Sequence, residues 1–433
     1  MKINFDPVIV SRLKQAWDKL PVDQRARMAP MLLKAHQQAL TLTDTGVAPT
    51  SDPTVPHQIL LAQSAMTDDR DGVAGKLEAG VVVHVAPDGV IWGTGKYQSL
   101  DPAWTEALAV CLESFLTGKH PFLTTPKTFA IPNAVQIGIA GDWGTGDWRT
   151  AANPAPSTDV KTHMAFLQPN LTIHLGDVYY AGTSDQEKHL LVDIWPRGSL
   201  GSLTLNSNHE MYSGAKPYFD QALTSSAFSF GVPLVSGGTS QPEPQTASYF
   251  ALENDNWVVV GLDSAYYSDG EHLYMDGSLY PSSGPQVQLD FLREQVAKNK
   301  KMLLLTHHNG LTDDGSATNT LWTQVMSAFP QGEGPDYWYW GHVHAGIVYK
   351  PQPPQAGGPG QVLCRCSGHA ALPWGEATEL AGKPNVLWYE TRSAKDPDIP
   401  ERVLNGFTML YLDGPEIDEV FYDENGGVAW ANT

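Results

Sequence analysis

The chain has 433 residues, 42% of them hydrophobic and 17% charged, which provides for a large core and lies outside the composition of disordered chains. Forty-seven acidic residues against 27 basic ones give a formal net charge of -20. No Lys/Arg cluster interrupts that excess, which argues against a chain held to nucleic acid or an anionic membrane by a basic patch, while a small anionic substrate remains compatible if bound cations reverse the potential inside one pocket.

Two helical patterns open the chain, over roughly 7-20 and 23-41. The first scatters its charges among apolar residues and so lacks the apolar centre of a signal peptide. No stretch reaches 18 uncharged apolar residues, so no membrane span is expected. Cys111, Cys364 and Cys366 are an odd set without a disulfide framework, and a reducing, cytoplasmic setting is expected. A Pro/Thr/Asp-rich connection, "TDTGVAPTSDPTVP", leads to a strand-turn-strand pattern around Pro87-Asp88-Gly89 and then to a helical run ending at Gly118. Residues 1-130 read as a small α+β accessory module without recognisable chemistry.

Beyond about residue 134 short apolar strands end in polar clusters and alternate with helices such as "GPQVQLDFLREQVAKNK". That texture predicts a layered α/β fold over 131-433, with functional groups gathered beyond the C-terminal strand edges. The tail "GFTMLYLDG" to "DEVFYDENGGVAW" reads as a closing hairpin. In chain order the strand ends carry Asp142, Asp177, Asn208 with His209, His307 with His308, and His342 with His344. Each alone is a turn former or a hydrogen-bonded histidine, but together imidazoles and carboxylates are a donor set for zinc, iron or manganese.

In order, "GDWG", "GDVYY", "SNHE", "LLLTHH" and "GHVH" resemble the five blocks of the calcineurin-like metallophosphoesterases, over about 134-425. Within them the chain resembles the purple acid phosphatases. Trp143-Gly144 follows Asp142 where most of the superfamily has a histidine two residues on, and Tyr180 stands three residues after Asp177. Ser207 and Asn309 depart from the glycine and proline usual at those positions.

The resemblance implies a layered (α/β-β/α) metallophosphoesterase-type sandwich and a binuclear phosphatase for small phosphomonoesters, acting by metal-hydroxide attack. One metal would be held by Asp142, Asp177, Tyr180 and His344, and the other by Asp177, Asn208, His307 and His342, with Asp177 bridging. A phenol with a usual pKa of about 10 binds a divalent ion poorly, so Tyr180 would favour Fe3+ beside a divalent Zn2+, Fe2+ or Mn2+. On a strand, His342 and His344 would face one side, at a span suited to two neighbouring ions. His209 is expected as proton donor or transition-state stabiliser, and His308 as a substrate contact. A phosphodiesterase or phosphotriesterase with two divalent ions stays open, as does a non-catalytic metal-binding protein. The loops at 210-247 and 265-285, where Lys216 is the only basic residue, are expected to select the substrate.

Overall fold

The computed structural model describes residues 5-45, 55, 84-231, 242-355, 358 and 360-432. Most of the Pro/Thr/Asp-rich connection, the strand-turn-strand residues 80-83 and the loop tip at 232-241 lie outside the described residues.

Two eight-stranded sheets carry the fold. In one, the strands run in the spatial order Val386–Tyr389, Gly346–Tyr349, Leu363–Ser367, Tyr337–Trp340, Lys301–Leu305, Trp257–Gly261, Phe250–Glu253 and Thr128–Ala130. In the other the order is Val428–Ala431, Glu416–Asp423, Gly406–Asp413, Ala134–Ala140, Leu171–His174, Gly201–Thr204, Ser229–Phe230 and Glu243–Pro244. The central strands of both are parallel, with Ile137 opposite Leu171, Leu171 opposite Gly201, Trp257 opposite Lys301 and Leu303 opposite Tyr337. Parallel strands buried on both faces need apolar residues at every position, and Trp257–Gly261 and Leu171–His174 are buried throughout.

One apolar cluster fills the space between the sheets, joining Ile137, Ile139 and Ile173 to Leu252, Val259 and Leu303. Each such side chain contributes about 1.5–3 kcal/mol by leaving water. Helices Val287–Val296 and Thr320–Met326 cover the outer face of the first sheet through Leu292, Leu321 and Val325. Pro156–Phe166 covers the second through Val160 and Met164. The result is the expected α/β sandwich of four layers. A buried Arg365 forks onto Glu419 at 2.8 and 2.9 Å and so ties a strand of one sheet to a strand of the other.

The expected closing hairpin is a three-stranded meander, because Val428–Ala431 adds to the edge of Glu416–Asp423. Helices Pro7–Lys19, Val22–Thr45 and Trp104–Thr117 account for the helical patterns of the first 118 residues. Asp6 caps the first by accepting from the Val8 N–H, with Pro7 in its first turn. These helices share a continuous core with Trp143, Tyr179 and Tyr212, and Thr128–Ala130 pairs in parallel with Phe250–Glu253. The segment before residue 131 therefore supplies an edge strand and one wall of the main body.

Candidate metal centre

The residues at issue follow the C-terminal ends of parallel strands from both sheets. Ala134–Ala140, Leu171–His174 and Gly201–Thr204 deliver Asp142, Asp177 and Asn208, while Lys301–Leu305 and Tyr337–Trp340 deliver His307 and the 342–344 pair. His342 and His344 do not sit on a strand. The strand stops at Trp340, and both have left-handed backbones, at φ 67° and 56°. Asp142 and Asp177 share that conformation at φ 59° and 81°. Four non-glycine residues in this region cost roughly 1–3 kcal/mol each and persist where the surroundings over-determine them, which is a mark of functional sites.

Two groups of donor atoms result, Asp142 with Asp177 and His344, and His307 with His308 and His342, each spanning no more than 4.8 Å. In the first, His344 Nε2 lies 3.2 Å from Asp142 Oδ1 and 3.9 Å from Asp177 Oδ2. In the second, His307 Nε2 lies 2.8 Å from Asn208 Oδ1, 3.2 Å from His342 Nδ1 and 3.3 Å from Asp177 Oδ1. One carboxylate thus faces both groups, Oδ1 toward one and Oδ2 toward the other. Asp177 is itself held by the Ser207 hydroxyl, which donates to Oδ1 at 2.5 Å and also meets the Glu210 carboxylate. The serine that departs from the family pattern therefore fixes the shared carboxylate.

Proton bookkeeping sharpens the second group. The Leu175 carbonyl, 3.0 Å from His307 Nδ1, can only accept, so Nδ1 carries the proton and Nε2 presents a lone pair. That lone pair points at an amide oxygen, a carboxylate oxygen and a second imidazole nitrogen. Burial keeps His307 neutral by lowering its pKa to about 4, and it drives His342 well below the usual range with help from His308 and His307. Neutral imidazoles converging with an amide oxygen and a carboxylate are a donor set that fits a cation.

In the first group burial and the Asp177 charge push Asp142 up to about 8. Burial also opposes the charge on Asp177, but His307, His209 and His344 outweigh it and hold that carboxyl well below its usual range. Burial would lower His344, yet its bonds to both carboxylates raise it to about 9. These fields are those of neighbouring carboxylates awaiting positive charge.

Tyr180 is not in the group. Its hydroxyl donates to Asp101 Oδ2 at 2.5 Å and its ring stacks on Tyr97 at 4.8 Å, so it faces the N-terminal segment. The preceding Tyr179 occupies the expected place, with its hydroxyl 2.8 Å from Asp177 Oδ2, 3.4 Å from Asp142 Oδ1 and 3.3 Å from His344 Nε2. The tyrosine doublet hid this, since either ring satisfies the composition and only the turn decides.

His308 is also turned away from the role expected of it. It is fully buried, donates from Nε2 to the Tyr274 carbonyl at 2.8 Å and meets the Ser264 hydroxyl through Nδ1 at 2.9 Å, which leaves no nitrogen for a substrate. His209 does face the cavity. Its Nδ1 donates to the Tyr180 carbonyl at 2.7 Å, which turns Nε2 toward open space 4.0 Å from Asp177 Oδ2. His369 is buried, among the described residues neither of its ring nitrogens has a partner, and burial lowers its pKa to about 4. Cys364 and Cys366 are buried strand residues, and Trp338, Tyr339 and Trp340 pack inside the sheets.

Above the donor groups opens a cavity of about 570 Å³, floored by Asn208, His209, His342 and His344. Its walls come from segments with no shared pattern: Tyr97 and Trp104 of the N-terminal region, 309-319, and Leu372 to Lys383. Of the loops expected to select substrate, Met275, Asp276 and Gly277 are the described residues that line the cavity. Trp104 stands edge-on to Tyr180 at 4.6 Å and 5.8 Å from the His209 ring, so the N-terminal region helps position the site.

No protein-family model and no curated protein sequence matches this chain. Solved structures do. They include GAP50, the anchor in the inner membrane complex of Plasmodium, at 12% identity and TM-score 0.41, covering 69% of this chain and 88% of that one. A dimetal phosphatase from Danio rerio matches at 14% and 0.36, over 67% and 95% of the two chains. The calcineurin-like phosphoesterase YfkN from Bacillus subtilis matches at 13% and 0.33, over 69% and 93%. At these values the likenesses carry no argument about chemistry, which rests on the geometry above.

Proposed function

We propose that this chain is a calcineurin-like metallophosphoesterase that hydrolyses phosphate esters at a two-metal centre. The observation that carries the reading is the Asp177 carboxylate, whose two oxygens face two separate groups of possible metal ligands. Asp142, Asp177, His344 and Tyr179 would hold one ion, with Tyr179 in the role first expected of Tyr180. Asp177, Asn208, His307 and His342 would hold the other. Bound there, a cation pair supplies Lewis-acid activation of water and neutralisation of the phosphoryl oxygens.

The protein's own part is positioning. Ser207 and the His342 N–H orient Asp177 and Asp142, the latter bond being 2.8 Å long. His209 holds its Nε2 over the cavity floor, where that atom can carry a proton for the leaving oxygen.

Small phosphomonoesters are the substrates we favour, since among the described residues no arginine lines the cavity and the one lysine that does, Lys383, is 3.5 Å from Asp314. A second reading, a diesterase or triesterase with two divalent ions, draws support from the engagement of Tyr180 with Asp101. The test is hydrolysis of p-nitrophenyl phosphate beside its bis-ester by protein loaded with iron and zinc, from about pH 4 to 9, with Asp177→Ala as control. Monoester preference lost in the variant supports the phosphatase. Diester preference moves the assignment to the second reading, and inert protein containing two metals refutes both.

A further inference from the structure

The cavity has a charge pattern that is unusual for a site receiving anions. Apart from the floor, Asp88, Asp276, Asp313, Asp314 and Glu379 line it, and among the described residues Lys383 is its single cation, already beside Asp314. Asp313 is half-buried, and among the described residues its carboxylate accepts no hydrogen bond. Burial and the charges of Glu379, Asp88 and Asp314 act together to raise its pKa to about 7, so these groups share one neighbourhood.

The indole of Trp374 lies in the same wall. Its ring centroid is 4.7 Å from that of His344, so it borders the donor groups, and its N–H donates to the Asp88 carbonyl at 2.9 Å. An indole lining one cavity with several carboxylates offers the environment that stabilises an ammonium or quaternary ammonium group. Five acidic residues would repel a second phosphate or a carboxylate on the leaving group.

Resting on the phosphoesterase reading, we propose that the preferred substrates are phosphomonoesters whose leaving group carries an amine or quaternary ammonium, received by Trp374, Asp313 and Glu379. The cation sits on the acidic wall while the phosphoryl group reaches the floor. Cleavage breaks the P–O bond, water supplies the hydroxyl left on phosphate, and the amino alcohol leaves with the proton.

The test compares phosphocholine with 3,3-dimethylbutyl phosphate, which has the same shape without the charge. Each is measured as a competitor of p-nitrophenyl phosphate hydrolysis, so that a poor leaving group still reports its binding. The expected inhibition constant for phosphocholine is lower by about tenfold or more. That ratio should fall toward one in Asp313→Asn/Glu379→Gln and, independently, in Trp374→Leu. Equal constants in the unmodified enzyme, or tighter binding of the uncharged ester, overturn the proposal while p-nitrophenyl phosphate turnover leaves the phosphoesterase reading standing. Absence of all turnover by protein containing two metals overturns that reading as well.

Discussion

A methyl group at Gly341 tests the proposed centre without replacing any of its candidate ligands. A Cβ built there would stand 2.6 Å from Asp142 Oδ2 and 3.5 Å from His307 Nδ1, between the two groups. Restoring an ordinary contact of 3.4 Å moves the carboxylate oxygen by about 0.8 Å. The same oxygen accepts the His342 N–H at 2.8 Å, so the shift strains or breaks the bond that orients His342. Overpacking costs about 1–3 kcal/mol and loss of a hydrogen bond to a charged group about 1.5–3 kcal/mol, so Gly341→Ala should lose roughly 3–5 kcal/mol of stability. Misplacement on the order of 1 Å costs about 100-fold in rate, and the variant should lose that much kcat/KM on p-nitrophenyl phosphate. Thermal unfolding, metal content by mass spectrometry and steady-state kinetics read the three effects. A Gly341→Ala protein that keeps two metals and the parent rate would refute the assignment of Asp142 and His342 to the centre.

The two tyrosines should separate cleanly. In iron-loaded protein Tyr179→Phe is expected to abolish any visible phenolate-to-iron absorption, whereas Tyr180→Phe keeps it and loses about 1.5–3 kcal/mol of stability with the bond to Asp101; the reverse pattern restores Tyr180 as the ligand. His209→Ala should slow alkyl phosphates by about 100-fold or more and activated aryl phosphates much less, so equal losses exclude a proton-donating role. Asp142, raised to about 8, and His344, raised to about 9, keep protons in the metal-free fold that a cation must displace. The rise in Tm on adding zinc should therefore grow from pH 5 to about 8 or 9, and a flat profile would show that these groups do not meet the metal. For Asp142 alone the sign is that of a raised carboxyl: the metal-free fold binds the extra proton above the ordinary carboxyl range, and its stability falls as pH climbs toward 8.

Much of the architecture was legible in the chain because the signals are local. A run such as Trp257 to Val260, apolar at each position and followed by Gly261-Leu262-Asp263, declares a strand buried on both faces and a polar group beyond its end. The residue types at those ends point to metal chemistry for the same reason. Adjacent candidates are harder. Tyr179 and Tyr180, or His307 and His308, differ by one step along left-handed or irregular backbone, where no two-residue alternation says which ring faces inward. Tertiary structure alone decided that Tyr179 meets Asp177 while Tyr180 meets Asp101, because Asp101 comes from a helix start 79 residues away. The cavity wall is likewise assembled from Trp104, Asp313 and Trp374, residues with no pattern in common until packing brings their segments together. Sequence named candidate donors at strand ends because strand ends are written locally, while which neighbour faces inward, and the surroundings that orient it and select a substrate, depend on contacts between distant parts of the chain.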